Sequence, residues 1–90
     1  MDDNQLINLI ENTLTEKVRQ NTNYIRYTFY ELKVKYNLSE KELDIFLVLI
    51  RTKLENENYK VYFTDAKFTF ENANRTVQPN EILIAIKEEI

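Results

Sequence analysis

Five side chains carry most of what this sequence offers an external ligand: Arg26, Lys60, Tyr62, Lys67 and Arg75. Cations interleaved with an aromatic ring suit nucleic acid, because guanidinium and ammonium groups neutralise phosphates while a phenol ring stacks on a base. On an ordinary strand edge the same residues are simply solvated, with lysine guarding against edge-to-edge pairing, and both readings stay open. Catalytic chemistry has far less to work with. Histidine and cysteine are both absent, which removes the commonest metal ligand, the side chain that titrates near neutrality, and every thiolate or disulfide. Glycine is absent too, so no glycine-rich loop can cradle a phosphate. The acid pairs Asp2–Asp3 and Glu88–Glu89 sit near the chain ends and read as solvated positions rather than as a metal site. No nucleophile has an evident base to activate it. The expectation is a protein that binds rather than catalyses, with neither metal nor cofactor.

The element that must position these residues is the stretch from Ser39 to Asn58. Ser39 followed by Glu42 is a capping box, hydroxyl and carboxylate each satisfying a backbone donor at a helix start. At about 100° per residue, Leu43, Phe46, Leu47, Ile50 and Leu54 fall on one arc about a quarter-turn wide, the stripe of a helix packed on a core. Ile45, Val48 and Leu49 fall roughly opposite, so the middle of the helix is apolar nearly all round and calls for cover on a second side. Either the first helix and the hairpin cover it within the monomer or it is a partner surface; a partner interface at Ile45, Val48 and Leu49 is expected, with a second copy of the chain in a homodimer or with another protein.

Ahead of this helix, Asp3 to Arg19 repeats Leu6, Ile7, Ile10, Leu14 and Val18 at helical spacing. A polar break at Gln20–Asn23 leads to a short β-prone stretch, Tyr24–Tyr27. Thr28 and Glu31 make a second capping box, opening a two-turn helix through Phe29, Leu32, Val34 and Tyr36 that stops at Asn37, a residue tolerant of left-handed backbone. Behind the long helix, Tyr59–Thr64 alternates as a strand with Lys60, Tyr62 and Thr64 on one side. Phe68 and Phe70 alternate briefly, Asn72–Asn80 is turn-rich, and Ile82, Ile84 and Ile86 alternate with Leu83, Ala85 and Lys87 in a final antiparallel strand. Tyr27, Tyr30, Tyr36 and Tyr59 fit core positions with a wet hydroxyl, leaving Tyr62 and Tyr24 as candidates for stacking.

Ninety residues with 43% hydrophobic and 30% charged side chains predict one α+β domain with a single modest core. The longest apolar run, Ile45–Ile50, is too short to span a bilayer, and the acidic start Met-Asp-Asp-Asn is unlike a secretion signal. A cytoplasmic protein without membrane contact is expected.

A short helix from Thr28, a turn at Asn37, a capped longer helix from Ser39 and then a hairpin resemble a winged helix-turn-helix domain over nearly the whole chain. The second half, from Tyr59 through Phe68 and from Gln78 through Lys87, is also similar to small uncharacterised proteins of phages and mobile elements in AT-rich bacteria. The resemblance implies three helices with a small antiparallel sheet, and a DNA-binding role in which the helix after the turn enters the major groove. Here that helix carries Glu40, Glu42, Asp44, Glu55 and Glu57 against Lys41, Arg51 and Lys53. Net negative charge repels it from phosphate. Contact is therefore expected through Arg26, Lys60, Tyr62, Lys67 and Arg75 on strand and wing. The alternative is a protein-binding module, such as a phage-encoded inhibitor or adaptor, whose acidic and apolar helix engages a host or phage protein.

Overall fold

The structure, a computed structural model, describes residues 1–64 and 81–88. Helix α1 spans Asp3–Gln20, strand β1 Tyr24–Thr28, and helix α2 Glu40–Asn56, followed by β2 at Tyr59–Phe63 and β3 at Glu81–Lys87. Between β1 and α2 lies a short helix that opens at Phe29 and Tyr30 and takes the wide π form over Glu31–Lys35. The architecture of the described residues is α+β: three helices and a three-stranded antiparallel sheet in the order β1-β3-β2. No helix among the described residues is long and apolar enough to cross a membrane.

Both long helices begin where their side chains can satisfy free backbone donors. Asp2 caps α1, accepting from the Gln5 amide at 2.8 Å while the Gln5 side chain accepts from the Asp2 amide at 2.9 Å. Ser39 and Glu42 reciprocate in the same way at 3.1 and 2.9 Å and start α2. Those bonds to Ser39, helped by the amino group of Met1 at 2.9 Å, lower the Glu42 carboxyl to about 2. The helix ends two residues earlier than expected. Glu57 and Asn58 tighten back onto Leu54 and Glu55 at 3.0 and 3.2 Å, and Asn58 turns the chain with φ 67°.

The short helix expected after Thr28 is present, helical from Phe29 to Lys35, but over Glu31–Lys35 it has the wide π register rather than the expected α register. The Thr28–Glu31 box does form, with the Glu31 carboxylate accepting from both the amide and the hydroxyl of Thr28 at 3.0 Å. Beyond it the register widens, the Tyr36 amide reaching the Glu31 carbonyl five residues back at 2.8 Å. Val34 swings outward and is 52% exposed, and Tyr30, expected in the core, is exposed as well. Asn37 closes the turn in left-handed backbone, φ 54°, and the chain enters α2.

One core holds the elements together. Leu6, Ile10 and Leu14 from α1 meet Leu43, Phe46, Ile50 and Leu54 from α2 over the Ile25, Tyr27, Leu83 and Ala85 side of the sheet. Leu47, expected with the core stripe, is only half-buried at its margin. The Tyr27 ring meets Phe46 edge-on at 5.5 Å, and its hydroxyl lies 2.9 Å from that of Thr13, which also reaches the Ile10 carbonyl. Burial pushes the Tyr27 phenol well above its usual range. Lys17 completes the seam between α1 and β1, its ammonium 3.0 Å from Glu31 and 4.6 Å from the Tyr27 ring centre. The helices thus lie against one face of the sheet.

Candidate functional site

Among the described residues no helix lies on the other face of the sheet, and strand register decides what stands on it. Central strand β3 pairs with β1 and β2, placing Ile86 between Tyr24 and Lys60, and Ile84 between Arg26 and Tyr62. Alternation puts all six residues on the side opposite Ile25, Leu83 and Ala85, which are buried. The outcome is two parallel rows, Tyr24–Ile86–Lys60 and Arg26–Ile84–Tyr62. In each, a tyrosine and a cation flank an isoleucine, with the order reversed between rows. Flanking residues of a row are about 10 Å apart, and the rows about 7 Å apart, from standard strand spacing and rise.

These groups are accessible. Tyr24, Tyr62 and Ile86 are 37%, 45% and 46% exposed, and Ile84 is half-buried between its neighbours. The Lys60 ammonium sits 5.7 Å from the Tyr62 ring centre, within cation–π range, and makes no ion pair among the described residues. Arg26 is partly occupied, since its guanidinium lies 3.1 Å from the Glu81 carboxylate at the start of β3. At that same end β1 and β3 slip register between Tyr27 and Thr28, and Thr64 closes the β2 side by bonding to the Glu81 and Ile82 carbonyls.

Three of the five residues read from sequence as nucleic-acid contacts, Arg26, Lys60 and Tyr62, therefore share one face. Lys67 and Arg75 lie outside the described residues, as do Phe68, Phe70 and the turn-rich stretch before Pro79. The isoleucines between the cations were not singled out in the sequence, although the alternation of Ile82, Ile84 and Ile86 with Leu83 and Ala85 marked a strand apolar on both sides. Glu81 had no local signal. It stands 55 residues from Arg26 in sequence, and only the register unites them.

The partner-interface residues fall on α2. Ile45 is half-buried against the core, Leu49 is 36% exposed, and Val48 is 64% exposed on the side turned away from the sheet. Phe63, at the end of β2 and 45% exposed, lies under the Arg51 guanidinium at 5.5 Å.

An open cleft of about 660 Å³ between α1 and the C-terminal end of α2 brings Lys53 and Lys87 near Glu11 and Tyr59. Lys87 is already committed there, donating to the Glu57 carbonyl at 2.6 Å and lying 4.5 Å from the Tyr59 ring centre. Among the described residues no cluster of three or more acids can hold a metal ion. The chain matches no protein-family model, no curated protein and no solved structure.

Proposed function

We propose that this protein is a small nucleic-acid-binding accessory or regulator, acting without catalysis, that holds single-stranded nucleic acid on the open face of its sheet. The observation carrying this reading is the paired rows Tyr24–Ile86–Lys60 and Arg26–Ile84–Tyr62, exposed aromatic rings alternating with cations on a sheet face that no helix among the described residues covers. Unpaired bases can lie flat on Tyr24 and Tyr62 with the isoleucines as an apolar floor, while Lys60 and Arg26 meet the phosphates. A duplex hides its base faces and gains nothing from such a platform.

The element order, with β1 paired to the last strand of a C-terminal hairpin, supports placing the fold in the winged-helix class. The acidic first turns of α2, with Glu42 held ionised, argue against that helix as the reading element. The phage or mobile-element setting suggested by the second half of the chain suits an accessory protein of this size. A second reading, a module that binds a host or phage protein, rests on the exposed Val48 and Leu49 of α2.

Fluorescence titration of single-stranded and duplex oligonucleotides distinguishes them. The single strand should bind more tightly, and both Tyr62→Ala and Lys60→Glu should weaken it. Loss of one stacked base corresponds to about 1–3 kcal/mol, or roughly 5- to 150-fold in affinity. No binding to either form, or binding indifferent to both substitutions, overturns the proposal.

A further inference from the structure

We propose that two copies of this chain associate through the outward side of α2, antiparallel about a two-fold axis at Val48. This goes beyond the nucleic-acid reading and is independent of it. The outward side of α2 consists of Lys41, Asp44, Val48, Thr52 and Glu55, all exposed and all within a strip about 80° wide at 100° per residue. Val48 is its midpoint: Lys41 and Glu55 stand equally far on either side, and so do Asp44 and Thr52.

An isologous contact requires a surface complementary to itself, and this strip meets the requirement in one orientation. Antiparallel about Val48, Lys41 faces Glu55 of the second copy at both ends, roughly 10 Å from the axis by helical rise. Asp44 then faces Thr52 of the second copy, an uncharged side chain whose hydroxyl donates to the Val48 carbonyl of its own helix at 3.1 Å, and Val48 packs on its counterpart at the centre. A parallel pairing would set Lys41 against Lys41, Asp44 against Asp44 and Glu55 against Glu55. Lys41 and Asp44 make no ion pair among the described residues, whereas Glu55 already lies 3.3 Å from Arg51 of its own helix, so Lys41 of the second copy would share that carboxylate. Val48 is the most exposed large apolar side chain among the described residues, and Leu49 beside it is 36% exposed. This contact is the occupant that removes Val48 from water. The strip is one helix wide, which makes the dimer reversible and concentration-dependent. Because α2 packs on the covered side of the sheet, the two bare faces point away from each other in the pair.

Sedimentation equilibrium without nucleic acid tests this across micromolar to near-millimolar concentrations. The wild-type chain should shift from monomer to dimer, and Val48→Asp, at a position exposed enough for the fold to survive, should raise the dimer Kd at least about tenfold. The Lys41→Glu and Glu55→Lys chains should each be monomeric alone, since each brings like charges together at both ends. Mixed, they should form a dimer, because every end then joins opposite charges, and circular dichroism of each variant reports the fold separately. A monomer mass at all concentrations overturns the proposal. A dimer unaffected by Val48→Asp, or two charge variants that do not pair when mixed, does the same.

Discussion

Glu81→Gln is the substitution that most sharply separates a binding face from an ordinary solvated sheet. Glu81 holds Arg26 at 3.1 Å, with side chains 35% and 49% exposed. Removing the carboxylate frees the guanidinium and takes a negative charge away from the platform. Exposed ion pairs are worth about 0.2–1 kcal/mol, so the gain in single-strand affinity should lie between slight and about fivefold. Salt dependence carries a second signature, since each phosphate neutralised on a single strand contributes about −0.7 to the slope of log K against log salt. With Lys60 in no ion pair among the described residues and Arg26 engaged, the wild-type slope should fall between about −0.7 and −1.4, and Glu81→Gln should bring it to about −1.4. A fourfold rise in salt then weakens the variant about sevenfold. Lys60→Gln should move the slope the other way, by about 0.7. Fluorescence anisotropy of a labelled oligopyrimidine at several salt concentrations measures all three chains. A Glu81→Gln chain that binds no better, together with a Lys60→Gln chain of unchanged slope, would refute the reasoning.

Other consequences concern the frame that holds this face. Tyr27→Phe removes one buried hydroxyl but leaves Thr13 its bond to the Ile10 carbonyl, and should cost about 0.5–1.5 kcal/mol in urea denaturation. Phe46→Ala empties the centre of the core against Tyr27 and should cost about 3–5 kcal/mol, enough to threaten a domain this small. Stability should also fall in acid. The Glu42 carboxyl is lowered from 4.5 to about 2 by its bonds to Ser39, so its contribution is complete above its unfolded value and is lost as pH falls through that window. Glu31 adds to the same loss: desolvation opposes its ionisation, but the bonds from Lys17 and Thr28 outweigh it and lower its carboxyl. Thermal melts between neutral and strongly acid pH should show both losses, and Glu31→Gln should flatten part of the decline. Asn58→Gly should be neutral or slightly stabilising, since φ 67° suits glycine better than asparagine, whereas Asn58→Val should cost more than about 1 kcal/mol by the same melts.

The sequence made the frame legible wherever the signal was local. Capping at Ser39 with Glu42, the core stripe of α2 except for half-buried Leu47, the stop at Asn37 and the pairing of the strands Tyr59–Phe63 and Glu81–Lys87 all depend on neighbours within a few residues or follow from them, and stand in the structure. Where spacing alone fell short, a tertiary contact or a change of register decided. Val34 faces solvent where the turn after Glu31 closes five residues back rather than four, and Tyr30 is exposed just ahead of that turn. The candidate face was legible only in pieces: Arg26, Lys60 and Tyr62 could each be placed on an outward strand position. Their assembly into two rows required the pairing of β1 with β3, set by contacts more than fifty residues apart in the chain. The ion pair that engages Arg26 comes from that same long-range register.

The most direct test of the binding face is the change in backbone amide resonances as a single-stranded oligonucleotide is added to isotopically labelled protein. Shifts should concentrate on Tyr24, Arg26, Lys60, Tyr62, Ile84 and Ile86, while Ile45, Val48 and Leu49 on the far side stay unmoved. Spectra that do not change, or changes confined to α2, would contradict a nucleic-acid platform on the open face of the sheet.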